Sequence, residues 1–267
     1  MKRTLPGIGL ALAWVVLLLV GTPLLFHFVM IGVAAVCGYE YTRMALGEEI
    51  TAMSRLYLAG TLVFPILFSG VLITGPGVID GLFISFFLIS SYFLCRYTQF
   101  EDSYDKLCRL GFGVVYIGVL ASYLVQLRYL PDGGAWLVVL SSVTAGSDTG
   151  AYMFGTAFGR NKLCPGISPN KSIEGAIGGL ASGVAAAFLF AWLLFDHVNW
   201  LFVAVAAIVL TVVGIMGDLT ESIIKRGTGT KDSGIILAGH GGALDRIDSM
   251  LLAAPFFYYM LLVMGSV

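Results

Sequence analysis

The sequence predicts an all-α, polytopic integral membrane protein of about nine transmembrane helices, with a cytoplasm-facing polar pocket built by the C-terminal half. Three observations lead there. Of 267 residues, 58% are hydrophobic and 12% charged, against roughly 45–50% and about 25% in a soluble domain. So little charge cannot cover a globular surface. Apolar runs of about 20 residues, enough to cross a hydrocarbon core of roughly 30 Å, recur along the chain. The scarce basic residues sort to alternate connections between those runs. An ordinary cytosolic enzyme is excluded, as is a disordered chain, which would be poor in apolar residues. An outer-membrane barrel is disfavoured because its strands alternate in polarity.

The first charge-free run, Thr4 to Tyr39, would reach about 54 Å as one helix at about 1.5 Å per residue. That is too long for one crossing. Gly21-Thr22-Pro23 is a natural break, so two short spans are expected near 7–20 and 23–38. Lys2 and Arg3 before an apolar run also fit a signal peptide, but no A-x-A site follows, and an uncleaved anchor is expected. Further spans fall near 56–73, 77–95, 110–127, 135–158, 174–195, 199–217 and 249–266. The polar connections are 40–55, 96–109, 159–173 and 218–248, the last two too long and too patterned to be simple turns.

With nine spans and a cytoplasmic N-terminus, every basic residue except Arg128 falls on the cytoplasmic side. A bacterial inner membrane is the expected location. Net charge is −1, so no global field points to nucleic acid. Cys37, Cys95, Cys108 and Cys164 lie in or beside apolar segments without a CxxC pair, and read as packing residues. No clear repeat appears. The chain reads as one membrane domain, 1–267, with 1–134 mainly scaffold and the acidic and glycine-rich features gathered in 135–267.

The densest polar stretch runs from Gly217 to Ser249. Asp218, Glu221, Ser222 and Lys225 fall at i, i+3, i+4 and i+7, one face of a helix emerging from an apolar span. Asp245 and Asp248 are also three apart at the head of the last span, with Arg246 turned away from them. They suit either helix-start capping or binding of a hard cation, because Mg²⁺ takes one or two carboxylates plus phosphates and waters. Asp218, Asp245 and Asp248 would supply one or two such ions. Lys225, Arg226 and Lys231 are either positive-inside anchors or a phosphate-facing cluster. Gly239-His240-Gly241-Gly242 lets backbone N–H groups turn toward an anion. Beside cations and carboxylates this reads as a polyphosphate cradle, although it is not a P-loop. His240 has no second ligating His nearby, so zinc is poorly supported.

A second polar stretch covers Ser147 to Gly179. Asp148 lies inside an apolar span, where an ionisable group defaults to a functional candidate. The neighbouring glycines suit close helix packing. Ser168 and Lys171 lie in a loop entering a helix, where a phosphate could bind or Ser172 or Ser168 could cap. Asp80, near the outer end of its run, reads as interfacial.

Taken together, Ser222, Lys225-Arg226, Lys231-Asp232, His240-Gly241-Gly242 and Asp245-Arg246-Ile247-Asp248 resemble the signature of the phosphatidate cytidylyltransferase, or CDP-diacylglycerol synthase, family. Asp148, Gly150, Ala151, Tyr152, Ser168, Pro169, Lys171 and Gly175 are similar to the family's second characteristic stretch. Ala238, Ala243, Asn170 and Ser172 depart from it, which bears on loop geometry and rate; none removes a charged or glycine residue of the signature.

The resemblance implies transfer of the cytidylyl group of CTP to phosphatidate, giving CDP-diacylglycerol and pyrophosphate. It implies catalytic roles for Asp218, Lys225, Arg226, Lys231, Asp245 and Asp248. Substrate contacts would come from Ser168, Lys171, Ser222, His240, Gly241, Gly242 and Arg246. Mg²⁺ or Mn²⁺, one or two ions, would be held by Asp218, Asp245 and Asp248. Asp148 would hold a cation or orient a basic residue. The partners are CTP, phosphatidate and the bilayer, with no nucleic acid, and the expected assembly is a homodimer. The rival readings are a CTP-dependent transferase for another lipid, an isoprenoid-ether phosphatidate or a polyprenol, and an ion-coupled transporter. The transporter's expected paired broken helices in two repeated halves are not seen.

Overall fold

The computed structural model describes residues 4–47, 50–70, 77–230, 233–234 and 241–263. Helix α1 (Thr4–Leu19) and helix α2 (Pro23–Leu46) are separate, as the Gly-Thr-Pro break predicts. The Thr22 hydroxyl accepts from Leu25 N at 3.2 Å, and Pro23 opens the helix, where its missing N–H has no bond to lose. Helix α2 continues to Leu46 rather than ending near 38, so Glu40 and Arg43 are helical.

The span expected at 56–73 is not one helix. Its described part forms α3 (Ala52–Thr61) and a single turn, α4 (Phe64–Leu67). Pro65 cannot donate to the Thr61 carbonyl; the Ser85 hydroxyl does so instead, at 2.6 Å. Helix α5 (Val78–Cys95) follows. Then α6 (Ser103–Gly113), a π-helical stretch (Val114–Val119) and α7 (Leu120–Tyr129) run on as one 27-residue helix.

Helix α8 (Gly133–Phe158) leads into an antiparallel hairpin, β1 (Lys162–Cys164) and β2 (Ser168–Ser172), pairing Lys162 with Ser172 and Cys164 with Ser168. Pro165-Gly166 lie in its turn. Ser172 then caps α9 (Ile173–Leu194), accepting from Gly175 N at 3.1 Å. Helices α10 (Trp200–Gly227) and α11 (Leu244–Val263) complete the chain.

Among the described residues, six helices are long and apolar enough to cross a membrane: α2, α5, the α6–α7 helix, α9, α10 and α11. The apolar part of α1, Gly7–Leu19, is shorter. Helix α8 has 26 residues but carries hydroxyls, glycines and Asp148 among its apolar positions. Large apolar side chains such as Phe87, Leu94, Trp192 and Leu201 point outward, the arrangement a lipid solvent favours. Inside, Trp136 packs on Phe195, Phe202 and Phe257 at 4.3, 5.7 and 5.9 Å between ring centroids.

Two close approaches position the site. Helices α8 and α9 touch through glycine: a Cβ on Gly150 would stand 2.7 Å from the Gly178 carbonyl oxygen, and one on Gly179 would stand 2.8 Å from that of Ser147. Helix α10 meets α11 at Gly217, where a Cβ would stand 2.7 Å from the Asp248 carbonyl oxygen. That contact sets the backbone of Asp218 beside that of Asp248.

Candidate active site

A polar cavity of about 420 Å³ opens where the C-terminal end of α10 meets the start of α11. Asp148 from α8, Asp218, Glu221 and Lys225 from α10, Gly241, and Asp245, Arg246, Asp248 and Ser249 from α11 line it. The α10 residues arrive together because positions three and four apart share a helical face.

Lys225 is the hub. Its Nζ donates to Glu221 Oε2 at 2.7 Å and to Asp245 Oδ1 at 2.9 Å. The other Asp245 oxygen, Oδ2, accepts from Gly242 N at 2.9 Å. Asp248, 8% exposed, accepts from Ser249 N at 2.6 Å. Asp245 and Asp248 therefore act at the helix start and face the cavity together. Lys171, on β2, pairs with Asp218 Oδ2, so the hairpin is tied to α10.

Gly241 and Gly242 pack against their own neighbours. Gly241 has φ of 82°, the left-handed region that glycine tolerates. A Cβ on Gly242 would stand 1.9 Å from Ser233 Oγ and 2.8 Å from Glu40 Oε2.

Several expected site residues do not line the cavity. Arg226 is exposed and its Nε donates to the Ile167 carbonyl at 3.3 Å, fastening α10 to the hairpin. Ser168 lies in β2 and Ser222 is half-buried on α10; neither reaches the lining. Lys231 and His240 lie outside the described residues. Asp80 is exposed at the start of α5, with Oδ2 accepting from Gly77 N at 2.6 Å.

Glu40 was not anticipated. It is 1% exposed, and its Oε2 accepts from Leu244 N at 3.0 Å. The signal lay in the sequence: a carboxylate between Tyr39 and Tyr41 at the end of an apolar run is costly there unless it has a partner.

Five carboxylates line the cavity, and Glu221 Oε1 is buried with no hydrogen-bond partner among the described residues. An excess of hard oxygen donors over basic groups suits a divalent cation. Among the described residues, no three His, Cys, Asp or Glu side chains stand together so as to hold a metal by themselves. Substrate phosphates and water complete the sphere in Mg²⁺ sites of that kind.

Comparison with known proteins agrees with this chemistry. The sequence profile of the cytidylyltransferase family matches residues 1–264. A phosphatidate cytidylyltransferase of Bacillus subtilis (strain 168) is 31% identical over 263 residues, 97% of each chain. One of Brucella suis biovar 1 (strain 1330) is 37% identical over 238 residues, 87% of this chain and 83% of the relative. One of Staphylococcus haemolyticus (strain JCSC1435) is 37% identical over 178 residues, 67% of each chain.

Proposed function

The chain belongs to the cytidylyltransferase family, and from that premise we propose that it transfers the cytidylyl group of CTP to phosphatidate at the cavity around Lys225. The products are CDP-diacylglycerol and pyrophosphate. The observation that carries the reading is the Lys225 hub: one ammonium fixed between Glu221 and Asp245 in a carboxylate-lined cavity, with Lys225 and Asp245 among the residues that carry the family resemblance.

An oxygen of the phosphatidate phosphate attacks the α-phosphorus of CTP. The new P–O bond forms as the bond from that phosphorus to the β-phosphate bridging oxygen breaks, and pyrophosphate leaves. The nucleophile is already an anion at neutral pH, so no general base is needed. Positioning and charge neutralisation then do the catalysis. Lys225 and Lys171 are held by carboxylates in fixed places, where they face the substrate phosphates without prior ordering. Arg246 adds charge on the same wall. Gly241 and Gly242 let the backbone come close to Asp245 and keep it turned toward Lys225. One or two of the carboxylates of Asp218, Asp245, Asp248 and Asp148 would hold a divalent cation, with substrate phosphates and water as its other ligands, and when bound it would neutralise phosphate charge.

Purified protein given CTP, phosphatidate and Mg²⁺ should release pyrophosphate and form CDP-diacylglycerol. A panel of lipid phosphates, with dCTP and ATP against CTP, reads lipid and base selectivity. No product with any lipid phosphate would sink the reading. The basic residues support a cavity on the cytoplasmic face of a bacterial inner membrane. A membrane-impermeant thiol reagent should then reach Cys164 from the cytoplasmic side alone. We place a homodimer in the same proposal: Gly9, Gly32 and Gly60 have no atom within 4 Å of where a Cβ would stand, leaving small-residue positions open to a second chain. Mass measurement in detergent tests it.

A further inference from the structure

Glu40 lies on α2, in the half of the chain expected to be scaffold, yet it touches the head of α11. Its Oε2 accepts from the N–H of Leu244, the first residue of α11, across 204 sequence positions. Its Oε1 has no hydrogen-bond partner among the described residues. The carboxylate is wedged by glycines: a Cβ on Gly234 would stand 2.2 Å from Oε1, and one on Gly242 would stand 2.8 Å from Oε2.

The need for this contact follows from the helix itself. The first N–H groups of α11 have no intrahelical acceptor. Ala243, immediately before it, has no side chain that can cap. Asp245 has one oxygen on Gly242 N and the other on Lys225. Glu40 supplies the missing acceptor from another helix.

We propose that Glu40 is a positioning residue: by accepting from Leu244 N and bearing on Gly234 and Gly242, it sets the start of α11, and with it the place of Asp245 and Lys225. The inference rests on the cytidylyl-transfer reading. It says that an oxygen at the right reach is what α11 needs from Glu40, so a neutral amide of the same length should serve and a shorter carboxylate should not.

The test compares Glu40→Gln, Glu40→Asp and Glu40→Ala in full-length, detergent-purified protein. kcat and KM are measured by CTP-dependent pyrophosphate release, and hydrogen exchange is followed in the peptide covering Leu244. Glu40→Gln should keep at least about a third of kcat and the wild-type protection of Leu244. Glu40→Asp and Glu40→Ala should lose at least about tenfold in kcat, because small displacements in a catalytic array cost that much. KM for phosphatidate should change less than about twofold, and Leu244 should exchange faster. Gly234→Ala deletes no polar group but presses a methyl onto Oε1. It should behave like Glu40→Asp and decides the matter if that variant does not accumulate folded.

The reverse order, with Glu40→Asp active and Glu40→Gln not, or a large shift in half-saturating Mg²⁺, would show that the charge matters and overturn the proposal. Wild-type rates in every folded variant would overturn it equally. Wild-type protein that makes no product defeats the parent reading instead, and the exchange of Leu244 still reports whether Glu40 sets α11.

Discussion

Replacing Lys225 with Met separates the stability of the carboxylate network from its chemistry. Lys225 Nζ stands 2.7 Å from Glu221 Oε2 and 2.9 Å from Asp245 Oδ1, with side-chain exposures of 17%, 1% and 18% respectively. Methionine keeps the apolar stem and deletes the ammonium. Glu221 is then left buried as a carboxylate with no cation, facing Asp245. Removing one partner of a buried pair costs about 3–5 kcal/mol, and partial exposure of Lys225 and Asp245 puts this case near the lower end, roughly 3 kcal/mol. At about 2–4 °C per kcal/mol for a chain of this size, the unfolding midpoint should fall by roughly 6–12 °C. Adding Glu221→Gln removes the stranded charge, so Lys225→Met with Glu221→Gln should recover at least half of that loss. Activity should not follow. The charge facing the phosphates is missing from both proteins, so kcat should fall about 10²–10³-fold in each. Thermal unfolding and pyrophosphate release on the same detergent preparations give both numbers. A single variant within threefold of the wild-type rate, or a double variant no more stable than the single, would refute the reasoning.

Three further outcomes are expected. Asp218→Asn and Asp245→Asn should each lower turnover at least about 10²-fold in the same assay if their carboxylates hold the cation; near-normal rates would remove them from that role. Asp80→Asn should leave kcat within about twofold and cost at most about 1 kcal/mol, since Asp80 is exposed and only reaches back to Gly77 N; a large catalytic loss would overturn its interfacial placement. Gly217→Ala must push α10 off the Asp248 carbonyl, 2.7 Å from the new methyl, and should cost at least about tenfold in kcat.

What the sequence made legible was mostly local. Hydropathy located most spans, and Thr22-Pro23 marked a true helix start because cap and proline act within four residues. Helical spacing foretold that Asp218 and Lys225 share a face, and that Asp245 and Asp248 open the last helix. The break between α3 and α4 was less visible, because the acceptor that Pro65 leaves open is satisfied by Ser85 from another helix. Glu40 is hidden for a similar reason: its partner, Leu244 N, is 204 positions away and no periodicity reports it. Arg226 is the converse case. Its place beside Lys225 in the sequence suggested a shared role, but 100° of helical rotation per residue turns it toward the hairpin.

The charge inventory of the cavity leads to a last expectation, about how CTP enters. Five carboxylates line the walls, against Lys225 and Arg246 on the lining and Lys171 beside Asp218. Both lysines are already paired with carboxylates. Among the described residues, the wall that a triphosphate meets therefore carries a net charge of its own sign. Two like charges about 8 Å apart repel by roughly 2 kcal/mol at an effective dielectric constant of about 20, equivalent to about 30-fold in affinity. Saturating Mg²⁺ should therefore tighten CTP binding by at least about 30-fold, measured by titration calorimetry on the full-length protein in detergent without lipid substrate. Asp218→Asn with Asp248→Asn should bind CTP better than wild type in EDTA, because the repulsion is relieved, and gain less from Mg²⁺, because ligands are lost. Equal affinity with Mg²⁺ and in EDTA would mean that the lysines release their carboxylates to meet the phosphates unaided, and the carboxylate excess would need another explanation.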